Sequence, residues 1–177
     1  RGGDFTYSES EIDLMVADIE MAKSLGVSGI VSGVLNSDHT LDIKNTSRLI
    51  NAGGGLPFTF HRAFDWIPNK EEAIGQLDDL GAQRILTSGG CTKAIDALET
   101  LTTWNRNYNP TILPGGGINS SNYKVFKTAG FKEIHLSATK IIDKGEVEIP
   151  MNAPKYLVEN GRILGDSKEV SIICKGG

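Results

Sequence analysis

Cysteine is scarce in this chain, aromatics are few, and long apolar runs are missing. The two cysteines among 177 residues, Cys91 and Cys174, are far apart and form no Cys-x-x-Cys pair. Such usage argues against a disulfide framework or a paired-thiolate zinc motif, and it fits free thiols in a reducing compartment. No apolar stretch approaches the roughly 18 residues of a transmembrane helix. Basic runs and stripes of arginine with aromatics are also missing, which argues against a nucleic-acid interface. Eighteen basic and 22 acidic residues leave a mild net charge of −4. No charged head, apolar middle and small-residue cleavage site opens the chain. It starts on Arg1 and runs at once into Gly-Gly-Asp-Phe, as a segment from inside a longer fold would.

What is present is globular. Hydrophobic residues make up 39% and charged residues 23%, enough for one core in a single domain over 1–177. Short β-favouring runs begin at residues 28, 57, 84, 111 and 133, spaced by 22 to 29 residues. Helical patterns lie between them. Ser8 with Glu11 is a capping-box spacing ahead of a helix over 9–25, and Gly26 sits where it should stop. Asp42 can cap a helix from Ile43 to Ala52. Asn69 with Glu72 repeats the cap before a helix that Gly81 ends. Thr92 can cap Lys93–Trp104, and Ser120 or Ser121 can cap a helix reaching Ala129.

Strand, loop, helix, glycine, strand is βα repetition, which builds a parallel sheet buried on both faces. The period fits a (β/α)8 barrel, here incomplete with about five units; a small doubly wound sheet is the alternative. Residues 141–177 break the pattern. They read as an irregular tail with a possible hairpin from 145–152 and 169–175, and without an amphipathic helix.

The densest chemistry lies at 57–65, Pro-Phe-Thr-Phe-His-Arg-Ala-Phe-Asp. Polar groups at the end of a buried strand are costly to desolvate, so they tend to serve chemistry. His61 can move a proton or ligate a metal, and Arg62 can grip a carboxylate or phosphate through two N–H groups, with Asp65 orienting either. The bland reading is an Arg62–Asp65 pair that locks the rim beside a satisfied interior imidazole. Gly115, Gly116 and Gly117 offer bare backbone ahead of an expected helix start, an anion cradle or a plain tight turn. Ser88, Gly89 and Gly90 form a similar loop. His135 and Ser137 alternate on the fifth expected strand; with His61 and Asp65 or Asp4 they suggest a conceivable metal set. Cys91, at an expected helix start, is a soft thiol suited to Cu(I) or simply a small buried residue.

Six blocks in order resemble the CutC family, named for copper homeostasis. They are Arg1-Gly2-Gly3-Asp4-Phe5-Thr6-Tyr7, Val34-Leu35, Thr59 through Asp65, Arg84 through Gly90, Pro114 through Ile118, and Glu133 through Ala138. The resemblance implies a TIM barrel whose strands four to eight are present here. It places Arg1 and Asp4 on a rim loop as ligand-binding candidates. It implies a cytoplasmic, homo-oligomeric protein with copper as its metal. The early-strand cysteines proposed as copper ligands in that family have no counterpart in this sequence. Beside the copper expectation stands an enzyme acting on a small anionic or phosphorylated metabolite through His61, Arg62 and the 115–117 loop.

Overall fold

The computed structural model describes residues 3–143 and 161–175. Helix α1 spans Glu9–Ser24 and opens on the expected capping box. The Ser8 hydroxyl accepts from the Glu11 amide, and the Glu11 carboxylate accepts from the Ser8 amide at 2.8 Å. Its stripe buries Ile12 and Ile19. Helix α2, Ile43–Gly53, starts at Asp42, whose carboxylate accepts from the Asn45 amide. Gly54, left-handed at φ 59°, ends it. Helix α3, Lys70–Asp79, is capped by Asn69 through the Glu72 amide.

Four short strands alternate with these helices: β1 Ile30–Ser32, β2 Phe58–Phe60, β3 Arg84–Thr87 and β4 Thr111–Pro114. They pair in chain order, all parallel. Register sets Phe60, Ile85 and Ile112 side by side on one face, each at most 1% exposed. Thr59, Arg84 and Thr111 form the adjacent row on the other face. Fully burying a side chain such as Phe60 contributes about 1.5–3 kcal/mol, so the apolar row anchors the sheet. All four strands therefore end at one edge, after Ser32, Phe60, Thr87 and Pro114.

Four expectations change. The fifth strand, over 133–137, is reduced to a single parallel bridge between Gly115 and His135. Thr92 caps nothing: a 3₁₀ turn at Ala94–Ala97 precedes helix α4, Leu98–Asn107, and neither start has a side-chain cap. Helix α5 is only Tyr123–Thr128, with Asn122 at its N-cap rather than Ser120 or Ser121. Asn119 and Asn122 take the local amides instead, accepting from Ser121 and Asn119.

The tail departs furthest. A hairpin exists, but between β5 Thr139–Asp143 and β6 Gly161–Gly165, paired antiparallel. Residues 169–175 belong to a helix, α6 Ser167–Lys175, not to a strand. Asp166 accepts from the Lys168 and Glu169 amides and starts that helix. This local cap overrides the strand preference of Val170, Ile172 and Ile173. The hairpin arm expected over 145–152 lies outside the described residues.

Candidate functional site

Past the ends of the strands the backbone turns sharply, and polar side chains collect. A 3₁₀ turn, Arg62–Trp66, follows β2 with His61 at its N-cap. The turn carries Arg62 and Asp65 to one side, three residues apart, and their side chains meet with Nε donating to Oδ2 at 2.7 Å.

Asp65 is the hub. Its Oδ1 accepts from the Thr87 hydroxyl at 2.5 Å, from the Ser88 amide at 3.0 Å and from the Gly90 amide at 3.1 Å. Its Oδ2 lies 3.0 Å from the Ser88 hydroxyl, whose single proton it shares with the Cys91 carbonyl. With its side chain 8% exposed, this carboxylate is nearly buried and supplied with donors from the whole loop after β3. Burial of a charge is tolerable on those terms. The bland reading of the Arg62–Asp65 pair thus has a clear structural basis: the pair fastens the turn after β2 to the loop after β3.

Arg62 is not used up by that task. Its Nη2 donates to the Ser88 hydroxyl at 2.9 Å, and its side chain stays 44% exposed. Its Nη1 has no acceptor among the described residues. A Cβ built on Gly116 would lie 3.5 Å from Nη1 and 3.1 Å from Ser88 Cβ. Glycine at 116, with φ 120°, therefore lets the loop after β4 lie against the guanidinium. Arg62, Ser88 and the 115–117 loop, separate in sequence, form one rim. Gly115 is buried against Leu86 and His135, and its amide donates to Thr87 O at 2.9 Å. Gly117 is exposed, left-handed at φ 68°, and its amide has no acceptor among the described residues. No helix N-terminus contributes there, since α5 begins at Tyr123. Gly89 and Gly90, both at positive φ, shape the loop after β3.

His61 lies half-buried beside Arg62 in the chain. Its Nδ1 accepts from the Ala63 amide at 3.2 Å. The ring centroid is 5.0 Å from Phe5 and 6.0 Å from Phe60. Burial among these groups pushes the imidazole pKa below its usual range. The neutral ring then carries its proton on Nε2, the nitrogen left for other work.

The remaining candidates are more loosely placed. His135 and Ser137 are exposed, and the His135 amide donates to Pro114 O at 2.8 Å. Asp4 accepts from the Thr6 amide at 3.1 Å, as a turn-capping Asp does. Arg1 lies outside the described residues. Cys91 is half-buried against the core, and its carbonyl accepts from the Ser88 hydroxyl. It stands ahead of the 3₁₀ turn, not at a helix start. Among the described residues no group of three or more His, Cys, Asp or Glu side chains comes together as a metal cage would. This donor set does not fit a copper centre: one thiol without companions lacks the soft ligands Cu(I) prefers.

Sequence reasoning missed Thr87 and Lys93. Thr87 follows Ile85 on the buried face of β3, where a hydroxyl needs a partner, and that was a usable signal. Lys93, whose Cγ lies 3.1 Å from a Cβ built on Gly117, had none, because that contact depends on the next βα loop. A hollow of about 210 Å³ lies elsewhere, lined by Tyr108, Pro110, Thr111 and Lys132, at the opposite end of β4. Parallel α/β folds bind ligands beyond the carboxyl ends of their strands, which favours the rim.

Fold and rim define a parallel α/β protein whose polar groups gather over the carboxyl ends of its strands. The family model for CutC matches residues 1–140, and the chain belongs to the CutC family. A family protein CutC from Proteus mirabilis (strain HI4320) is 43% identical over 141 residues, covering 79% of this chain and 56% of its relative. One from Enterobacter sp. (strain 638) is 40% identical over 141 residues, covering 79% and 57%. The chain thus spans little more than half the length of these relatives. The crystal structure of a protein from Streptococcus agalactiae named for copper homeostasis, CutC, superposes with a TM-score of 0.72 at 34% identity. That match covers 76% of this chain and 68% of the other. No helix among the described residues is long and apolar enough to cross a membrane.

Proposed function

We propose that the rim binds a small anionic metabolite, held by Arg62 and the Gly115–Gly117 loop. The carrying observation is the guanidinium itself. Asp65 and Ser88 fix it on two nitrogens and leave Nη1 facing the glycine loop. An arginine pinned in this way spends little conformational entropy when it takes a ligand. In an enzyme of this design, His61 or His135 would move the proton, and Ser137 and Asp4 would line the mouth. A single domain over 1–177 in which β1 to β4 stand as strands four to seven of a (β/α)8 barrel is the architecture that would close the rim into a pocket. Parallel order and the family relationship support that architecture.

The test is thermal stabilisation by a panel of carboxylates and sugar phosphates. A ligand at about 100 times its Kd adds about 2.7 kcal/mol. Arg62→Ala should abolish the shift, and Cys91→Ser should leave it. Absence of any shift across the panel would sink the reading.

A second reading is favoured by the name of the Streptococcus agalactiae relative: a role in copper homeostasis, in the cytoplasm and as a homo-oligomer. Cys91 would be the only described residue among our candidates with a soft donor for that metal, and the lack of companions weighs against direct binding by these residues. Anaerobic Cu(I) titration decides it. One tight site lost in Cys91→Ser would support copper binding; no binding would remove it.

A further inference from the structure

We infer that Lys93 is the second cation of this rim and that Arg62 and Lys93 together select a dianion, a phosphate group in preference to a carboxylate. The inference rests on the anion reading above and names its ligand class.

Charge at the rim is the first argument. Asp65 matches the charge of Arg62, so that pair supplies directed N–H groups but little net field. Lys93 is exposed, and among the described residues its ammonium has no carboxylate partner. Lys70 is the other lysine at this rim, its Nζ 3.1 Å from a Cβ built on Gly90 and donating to Ile67 O at 2.8 Å, but it lies against the loop after β3; beside the 115–117 loop the unpaired cation is Lys93. Two carboxylates lie near in the chain or the fold. Asp96 follows three residues later and is exposed, while Glu169 of α6 accepts from the Ser120 amide. Neither forms an ion pair with Lys93.

Placement is the second argument. A Cβ built on Gly117 would lie 3.1 Å from Lys93 Cγ and 3.6 Å from Cδ, so the lysine stem runs along that glycine. A Cβ built on Gly116 would lie 3.5 Å from Arg62 Nη1. Consecutive glycines are thus flanked by different cations. The Ala94 amide donates to Gly116 O at 2.9 Å and ties the residue after Lys93 to the same loop. The Gly117 amide, without an acceptor among the described residues, joins the glycine beside Arg62 Nη1 to the glycine beside the Lys93 stem. A planar carboxylate can satisfy Arg62 alone. A phosphate has oxygens left over for a backbone amide and a lysine.

The experiment is calorimetric titration of inorganic phosphate and of acetate, at a pH near 8 where phosphate is largely dianionic. Wild type, Arg62→Lys, Arg62→Ala, Lys93→Gln and Lys93→Arg are compared, each first shown to melt cooperatively. Wild type should prefer phosphate. Lys93→Gln should weaken phosphate about tenfold, the scale of one charge-assisted hydrogen bond, and leave acetate within about twofold. Lys93→Arg should restore phosphate, and both Arg62 variants should weaken both anions. If Lys93→Gln shifts both anions equally, or neither, while the Arg62 variants weaken both, the inference about Lys93 fails and the anion reading stands. If wild type binds neither anion, or the Arg62 variants bind as wild type does, both fail.

Discussion

Asp65 Oδ1 accepts from the Gly90 amide at 3.1 Å across 25 residues of sequence, so one carboxylate sets the shape of a loop on the neighbouring strand. Its other bonds go to Arg62, Thr87 and Ser88. Replacing it should disorganise both turns at once. Asp65→Ala should cost at least about 2 kcal/mol, since several donors lose a charged acceptor. Arg62→Ala should cost under about 1 kcal/mol, because Arg62 is 44% exposed and Asp65 keeps its other donors. Urea denaturation of the two variants checks the order. Equal costs would mean that the ion pair, not the loop, is what Asp65 stabilises.

Gly33 sits under His61. A Cβ there would fall 2.7 Å from Nδ1, 2.8 Å from Cε1 and 3.1 Å from Phe60 Cζ. Phe60 is fully buried and cannot yield, so the imidazole must move. Gly33→Ala should destabilise by about 1–3 kcal/mol, as overpacking does, and should shift the His61 ring resonances in NMR spectra. An unchanged His61 environment would contradict this contact.

Burial lowers the His61 pKa in the folded state. The unfolded chain, near 6.5, then binds the proton more readily. Stability therefore falls as pH drops below about 6.5, and the loss is complete once the folded-state pKa is passed. At higher pH the group contributes nothing to the slope. His61→Gln should flatten the Tm-versus-pH curve below the unfolded value of about 6.5 relative to wild type. Parallel curves for the two proteins would show that the ring is not desolvated.

The elements that could be read from sequence are those with local causes. Ser8 with Glu11, Asp42, and Asn69 with Glu72 each cap a helix with atoms no more than three residues away. The runs at 84–88 and 111–114 put an apolar residue on each face, Ile85 and Leu86 in one and Ile112 and Leu113 in the other, as strands covered on both sides of a parallel sheet do. What could not be read depends on distant partners. His135 is exposed and makes one bridge, so 133–137 has strand-like composition without a strand's neighbours. Arg62 and Asp65 were legible as polar strand-end residues. Their bonds to Thr87, Ser88 and Gly90 cross 22 to 26 residues, and no spacing rule anticipates them. Lys93 reaches Gly117 in the same non-local way.

Arg84 and Glu133 join β3 to the segment after α5 through two bonds, Nε to Oε2 at 2.7 Å and Nη2 to Oε1 at 3.1 Å. The hydrogen bond from Arg84, helped by its charge, holds the Glu133 carboxyl below its usual range. A depressed carboxyl pKa stabilises above the unfolded value, and the gain is lost as pH falls through the folded one. Both side chains are partly exposed, 34% and 41%, so solvent screening limits the pair to under about 1 kcal/mol despite its paired geometry. A double-mutant cycle with Arg84→Met and Glu133→Gln should give a coupling of that size near neutral pH. It should shrink in about 1 M salt, where the Debye length falls to about 3 Å, and vanish below the folded pKa of Glu133. A coupling that ignores both salt and acid would mean the two side chains act through packing rather than charge.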